Sequence, residues 1–265
     1  MMNMRDGEGL SELFARLDDM VGKSERGELA VSSFLTPREQ HYAQKYLERM
    51  GVHPISFGGY ADAERQRIYI LPDYMEGIDS VTDLEGYGFS CEIATLEIKG
   101  SGYRNLTHRD FLGSLLGLGL ERTVIGDIVV LDDKGRQAVV FCDVRISRFI
   151  EEMLEKVSND KVKVKQIELT EDFLPKRKFL PISDTVASPR LDCIVAALCS
   201  LSRAKAAETI TGGLVELDFE REERPDRAVS APAQISVRGF GKFRIHSTGE
   251  QTKKGRYRLS ADKYI

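Results

Sequence analysis

The sequence predicts an α+β protein in parts: a small N-terminal α/β unit (1–80), a central βαββαβ ferredoxin-like domain (81–174), a basic linker (175–187) and a C-terminal module of two short helices followed by small strands (188–265). Three observations carry this reading. The apolar pattern switches between helical spacing and alternation from one segment to the next. The 265 residues exceed one simple core and suit two or three small ones. The charge is also divided: residues 1–180 hold 24 Lys+Arg against 31 Asp+Glu, a net of −7, whereas 181–265 hold 14 against 11, a net of +3.

The elements follow in order. Leu10, Leu13, Phe14 and Leu17 fall on one helical face, so residues 8–22 form an amphipathic helix, with a polar connection over Lys23–Glu28. Thr36-Pro37-Arg38-Glu39 is a helix start, Thr36 being the cap, and Gly51 ends that helix. Short strands at 52–57 and 67–71 complete the first unit. In the second, residues 94–99 alternate as a strand, Thr107 caps a helix to about residue 118, and strands 125–131 and 138–144 are joined by the turn signal Asp132-Asp133-Lys134-Gly135. Ser147 is the expected cap of a helix with Phe149, Ile150, Met153 and Leu154 on one face, before a last strand over 162–169. RNA-recognition motifs share this βαββαβ order, but they stack bases on aromatics in central strands, and Ala94-Thr95-Leu96-Glu97-Ile98 has none. The linker is bracketed by Pro175 and Pro181 and holds Lys176, Arg177 and Lys178.

Several function classes are set aside. Cys91, Cys142, Cys193 and Cys199 form no C-x-x-C pair and lie in apolar sequence, so neither a metal site nor a disulfide framework is expected, and no cofactor is implied. The first ten residues are polar, and the stretch 111–120 is too short to span a bilayer, which points to a cytoplasmic, membrane-free protein, expected as a monomer. His108-Arg109-Asp110 lacks the downstream residues of a kinase catalytic loop, and the glycines at 117, 119 and 126 do not follow a strand as a dinucleotide loop requires. The four histidines stand apart from any nucleophile, so no enzyme is expected.

The basic end is where chemistry concentrates. Arg190-Leu191-Asp192 opens the first helix of the C-terminal module, with Asp192 read as a first-turn residue facing the helix dipole. Ser202 is a natural cap for the second helix, whose free N–H groups attract phosphate. Arg203 beside it can make a two-pronged contact, and Lys205 adds charge. From Ser236 to Arg258 seven basic residues (Arg238, Lys242, Arg244, Lys253, Lys254, Arg256 and Arg258) meet one acid, Glu250, with Phe240, Phe243 and Tyr257 interleaved and four glycines marking loops able to close on a nucleic-acid backbone.

The segments Arg190-Leu191-Asp192, Leu201-Ser202-Arg203-Ala204-Lys205-Ala206 and Gly213-Leu214-Val215 resemble the αL-motif RNA-binding domain named for ribosomal small-subunit protein S-four. Two more segments, 107–119 with Gly126-Asp127-Ile128, and Ile235-Ser236-Val237-Arg238-Gly239-Phe240-Gly241-Lys242-Phe243, are similar to the YlmH family of Gram-positive bacteria, a likeness covering nearly the whole chain. Departures lie at Glu216-Leu217-Asp218-Phe219, where many such modules have an Asn-Gly turn, and at Ala233-Gln234, where an acidic Gly-Asp turn is usual. The resemblance implies a non-enzymatic ribosome-associated factor that contacts ribosomal RNA or tRNA. It further implies a role in rescuing stalled large ribosomal subunits that still hold peptidyl-tRNA, in support of C-terminal alanine tailing, and an association with cell division. Two other readings stay open. One is an RNA-modifying enzyme of the pseudouridine-synthase kind, in which an Arg-Leu-Asp segment supplies the nucleophile. The other is a division adaptor binding protein through residues 1–180.

Overall fold

Thr36 and Glu39 start their helix through local chemistry alone. In the computed structural model the Thr36 hydroxyl accepts from the Glu39 N–H (3.3 Å), and the Glu39 carboxylate accepts from the Thr36 N–H (2.7 Å). The structure describes residues 4–75, 77–132, 134–170, 173, 175, 179–253 and 255–264, with the backbone alone for 4–9. Its contacts divide it into two units, Met1–Lys176 and Arg177–Ile265.

The first unit begins with α1 (Met4–Glu25), β1 (Ala30–Val31), α2 (Pro37–Arg49), β2 (Ile55–Phe57) and β3 (Arg67–Ile70). Leu10, Leu13 and Leu17 of α1 pack on Ala43 and Leu47 of α2 and on Ile68 and Ile70, above an antiparallel sheet ordered β1-β3-β2. A 3-10 turn over Val81–Tyr87 buries Val81 and Leu84 beside Tyr69 and Met75. Then follow β4 (Ile93–Gly100), α3 (His108–Gly117), β5 (Ile125–Val130), β6 (Gln137–Asp143), α4 (Val144–Met153), β7 (Lys156–Val157) and β8 (Asp160–Gln166). Their antiparallel sheet is ordered β5-β6-β4-β8-β7, the ferredoxin-like arrangement, with α3 and α4 over one face. The cap of α4 is Asp143, not Ser147. The Asp143 carboxylate ends β6 and accepts from the Arg145 N–H (3.0 Å), so the helix starts early and Ser147 is buried inside it. This start leaves Ile150 and Leu154 inside while Phe149 and Met153, expected on the buried face, are exposed.

Residues 1–80 and 81–174, read from the sequence as separate domains, lie within this one unit. Arg67 of β3 is buried against Asp143 (Nη1 to Oδ2, 3.3 Å) and also donates to the carbonyls of Ser32 (2.6 Å) and Glu92 (2.7 Å). Asp127 accepts from the N–H groups of Glu64 (2.7 Å) and Arg65 (2.9 Å) and from the Tyr60 hydroxyl (2.6 Å). A Cβ at Gly126 would lie 2.7 Å from the Phe34 ring, so only glycine admits that ring. On the helix-free face of the central sheet, Phe141 is fully buried under Tyr60 (ring centroids 4.8 Å apart) and Phe173 (6.2 Å). That half of the face is filled from within the chain.

The second unit opens with β9 (Phe179–Val186), followed by α5 (Leu191–Cys199), α6 (Arg203–Thr211), β10 (Val215–Leu217), β11 (Glu220–Arg221), β12 (Ala233–Val237), β13 (Gly241–Ser247) and β14 (Tyr257–Tyr264). Most of the expected linker is therefore strand: β9 pairs along its full length with β14, from Phe179 opposite Tyr264 to Val186 opposite Tyr257. Pro181, which reads as a linker bracket, is tolerated because β9 is an edge strand with one side unpaired. Lys176, Arg177 and Lys178 lie outside the described residues. The sheet is antiparallel and ordered β11-β10-β12-β13-β14-β9. One core joins it to the helices: Leu191, Ile194, Val195, Ala206 and Ile210 pack against Val215, Ile235, Val237, Phe243, Ile245 and Leu259. Where relatives of this module have Asn-Gly, Asp218 (φ 49°) and Phe219 (φ 66°) both adopt left-handed backbone and close the β10–β11 hairpin without glycine. The Asp218 carboxylate secures the turn by accepting from the Gln234 N–H (2.8 Å).

Candidate nucleic-acid interface

The described site residues of the second unit fall into one group at the helix starts and another on the outer face of the sheet and its loops. The first lies where α5 and α6 begin. After α5, Ser200 takes a left-handed conformation (φ 54°), the chain reverses, and Ser202 caps α6 by accepting from the Lys205 N–H (3.2 Å). The reversal returns Arg203 to the first turn of α5, where Asp192 is buried. Arg190 reaches the same carboxylate in fork geometry (Nε to Oδ1 and Nη2 to Oδ2, both 3.2 Å), and Arg203 Nε donates to Oδ2 (2.9 Å). The Cys193 N–H also donates to Oδ1 (2.9 Å). Burial opposes ionisation of Asp192, but the hydrogen bonds from Arg203 and Arg190 outweigh it and hold the carboxyl below its usual range.

One buried carboxylate thus orients two guanidiniums that stay partly open to solvent, the side chains of Arg190 and Arg203 being 41% and 56% exposed. The cluster of two cations and one anion carries a net positive charge. Asp192 is ill suited to nucleophilic attack, because both of its oxygens accept from cations and it is only 5% exposed. Lys205 adds less local charge than expected, being paired with Glu208 at 2.9 Å, although so exposed a pair is worth little and can be exchanged.

The second group differs from the expected loops. Lys242 and Arg244 lie on β13 and Arg258 on β14, on the sheet face turned away from the helices. Strand alternation decides this: Phe243 and Ile245 point into the core, so Lys242 and Arg244 point out. The aromatic interleaving consequently offers no stacking platform. Phe243 is fully buried and Tyr257 packs against the core, which leaves Phe240 exposed at the β12–β13 turn beside the exposed Arg238. Arg256 is folded back on Thr185, donating to its hydroxyl (2.9 Å) and to its carbonyl. Lys253 is exposed in the β13–β14 loop, and Lys254 lies outside the described residues. The residue-by-residue alternation of 242–246 is the signal that would place these residues on a strand and not in a loop; the role of Asp192 as an orienting acid has no such signal, because its partner Arg203 is eleven residues away.

Among the described residues no group of three His, Cys, Asp or Glu side chains is placed to hold a metal ion, and no helix is long and apolar enough to cross a membrane. Burial pushes the thiols of Cys142 and Cys199 up, to about 12 and about 11, so neither is an activated nucleophile.

A ferredoxin-like domain joined to a small N-terminal sheet, followed by a two-helix module with a partly open arginine pair, defines a class of α+β protein. Two models of one family match it: "YlmH, N-terminal" over residues 12–75 and "Putative RNA-binding domain in YlmH" over residues 89–171. The chain belongs to the YlmH family. It is 29% identical over 239 residues to a Bacillus subtilis (strain 168) protein named "Ribosome-associated protein quality control protein P2", spanning 90% of this chain and 89% of that one. Among solved structures, "Cell division protein ylmH from Streptococcus pneumoniae" superposes with a TM-score of 0.50 at 21% identity, over 66% of this chain and 98% of that chain, a likeness of fold alone.

Proposed function

We propose that this chain is a cytoplasmic RNA-binding factor that works on the ribosome, and that its C-terminal unit is an S-four-type module gripping ribosomal RNA or tRNA. The observation that carries the reading is the Asp192 clamp: two arginines held in fixed geometry, both reaching solvent, beside the capped start of α6. Pre-oriented guanidiniums lose little freedom on binding and suit the paired oxygens of phosphate. Arg238, Lys242, Arg244, Lys253 and Arg258 supply further phosphate contacts around the unit. The name of the Bacillus relative and the description of the model matched over 89–171 support an RNA and ribosome setting. The finer reading is that the factor acts without catalysis, on stalled large subunits that retain peptidyl-tRNA.

The test is co-sedimentation with purified large subunits, with and without bound peptidyl-tRNA, at two salt concentrations. Binding should weaken steeply with salt, favour the peptidyl-tRNA form, and drop when Arg190 and Arg203 are both replaced by Ala. Sedimentation indifferent to salt and to the double substitution would sink the assignment. Equal binding to both kinds of subunit would remove the peptidyl-tRNA part.

A further inference from the structure

The central sheet of the first unit has a second half to its helix-free face. One half is apolar and filled by Tyr60 and Phe173 over Phe141. The other is lysine-rich. Lys161, Lys163 and Lys165 alternate along β8 with Val162 and Val164, which pack on the helix side, so all three lysines project from the free face and are exposed. Across the sheet Lys163 stands directly opposite Lys99 of β4, and Lys161 opposite Lys156 of β7.

Like charges directly opposite on neighbouring strands are destabilising, and here two such pairs sit side by side. Acid offsets them only in part: Glu97, which stands opposite Lys165, is engaged by Lys99 (2.8 Å) and by the Gln137 side chain. Lys161, Lys163 and Lys165 are exposed and form no ion pair with the described acid nearest to them on the sheet, Glu97, which is paired with Lys99. This cluster interrupts a stretch, residues 1–180, whose net charge is −7. At the same edge, the turn after β4 is tied down by Ser101, whose N–H donates to the Lys161 carbonyl (3.1 Å), and it presents Tyr103 with 85% of its surface exposed. Lysines commonly guard sheet edges against pairing with other chains, but one or two charges do that, and guarding gives no reason to set lysines face to face.

We propose that this lysine face is a second RNA contact, one that grips the sugar–phosphate backbone instead of stacking bases. Successive lysines on β8 are about 6.6 Å apart, comparable with the step between phosphates along a strand. The aromatic that could have stacked a base from the sheet, Phe141, is covered. The inference rests on the RNA-binding reading above and adds to it a surface on the first unit, remote in sequence from the Asp192 clamp.

The experiment uses the full chain, with a short RNA duplex and the matching single strand as probes, and measures affinity against salt concentration. The triple variant Lys161→Gln/Lys163→Gln/Lys165→Gln should bind duplex more weakly, and the slope of log affinity against log salt should fall by about 2, at roughly 0.7–0.9 for each phosphate that is no longer neutralised. The triple Lys→Arg variant, which keeps the charge, should retain both; it also serves if the Gln variant folds poorly. Three results overturn the proposal: an unchanged slope in the Gln variant; aggregation by light scattering with RNA affinity intact, which makes the lysines edge guards; and loss of ribosome binding with RNA affinity intact, which makes the partner a protein. If instead the unaltered chain binds no RNA, the parent reading has failed; if Arg190→Ala/Arg203→Ala weakens binding and the lysine variant does not, only this inference has.

Discussion

Asp143 and Asp192 are the same device in two settings. Each begins a helix, each is buried, and each holds two arginines. At Asp143 one arginine, Arg67, is sealed inside, 4% exposed, and fixes the N-terminal sheet to the central domain, while the other, Arg145, is spread on the surface at 2.6 Å. At Asp192 neither arginine is sealed, and neither joins separate layers. The constellation alone does not tell joint from binding site; at Asp143 one of the two guanidiniums, Arg67, is sealed and spends its donors on Asp143 and the Ser32 and Glu92 carbonyls, whereas at Asp192 both still face water. A sealed pair is fixed by its neighbours. An open pair is oriented but unfinished, and phosphate can complete it.

This contrast can be broken in several ways. Arg67→Ala leaves Asp143 short of its buried partner and should cost about 3–5 kcal/mol, read by denaturant unfolding of the first unit; a loss below about 1 kcal/mol would mean the joint is held elsewhere. Acid should affect both devices. Burial resists ionisation of Asp143, yet hydrogen bonds from Arg145 and the charge of Arg67 hold its carboxyl below the usual range, as Asp192 is held. A carboxyl lowered on folding stabilises fully above its unfolded value of about 3.9, and that stability is lost as pH falls through the lower folded value. Unfolding midpoints should therefore be flat above about pH 5 and fall below about pH 4, and Asp143→Asn should flatten the fall.

Arg190→Ala and Arg203→Ala should each weaken RNA binding about tenfold, the worth of one charge-assisted contact, and reduce the salt slope by about 1. Thermal unfolding should move much less than for Arg67→Ala. Asp192→Asn sharpens the comparison most. It adds net positive charge, so simple attraction predicts tighter binding, whereas loss of orientation predicts binding weaker by a few-fold. Tighter binding in a titration would show that the clamp is structural like Asp143. The smallest effect concerns the glycine-free hairpin: Phe219→Gly should stabilise the second unit by about 0.5–1 kcal/mol, because glycine takes left-handed backbone without the Cβ clash, and a lower melting temperature would show that the Phe219 ring contributes more than its backbone costs.

Legibility mostly followed the range of the interaction. The Thr36 and Thr107 caps, the βαββαβ order and the α5–α6 pair could be read because each depends on residues within a few positions. The strand at 179–186 depends on β14, far along the chain, whereas the cap at Asp143 is a local bond to the Arg145 N–H, and only the burial of that carboxylate against Arg67 is long-range. In the candidate site, Ser202 and Arg203 were visible as a helix start, and Lys242 and Arg244 as basic residues. Their separation into a helix-start group and an outer sheet face emerged only when Phe243 was placed in a core built from five strands and two helices.

By itself the sequence determined the local elements, the divided charge and the family likeness, since capping, alternation and composition act over a few residues or over none in particular. Only the tertiary structure decided that Asp143 holds a sealed arginine while both arginines at Asp192 stay open, that Phe141 is covered, and that Lys99 faces Lys163. Those facts depend on which surfaces are left to water after distant segments pack, and burial is a property of the whole chain at once.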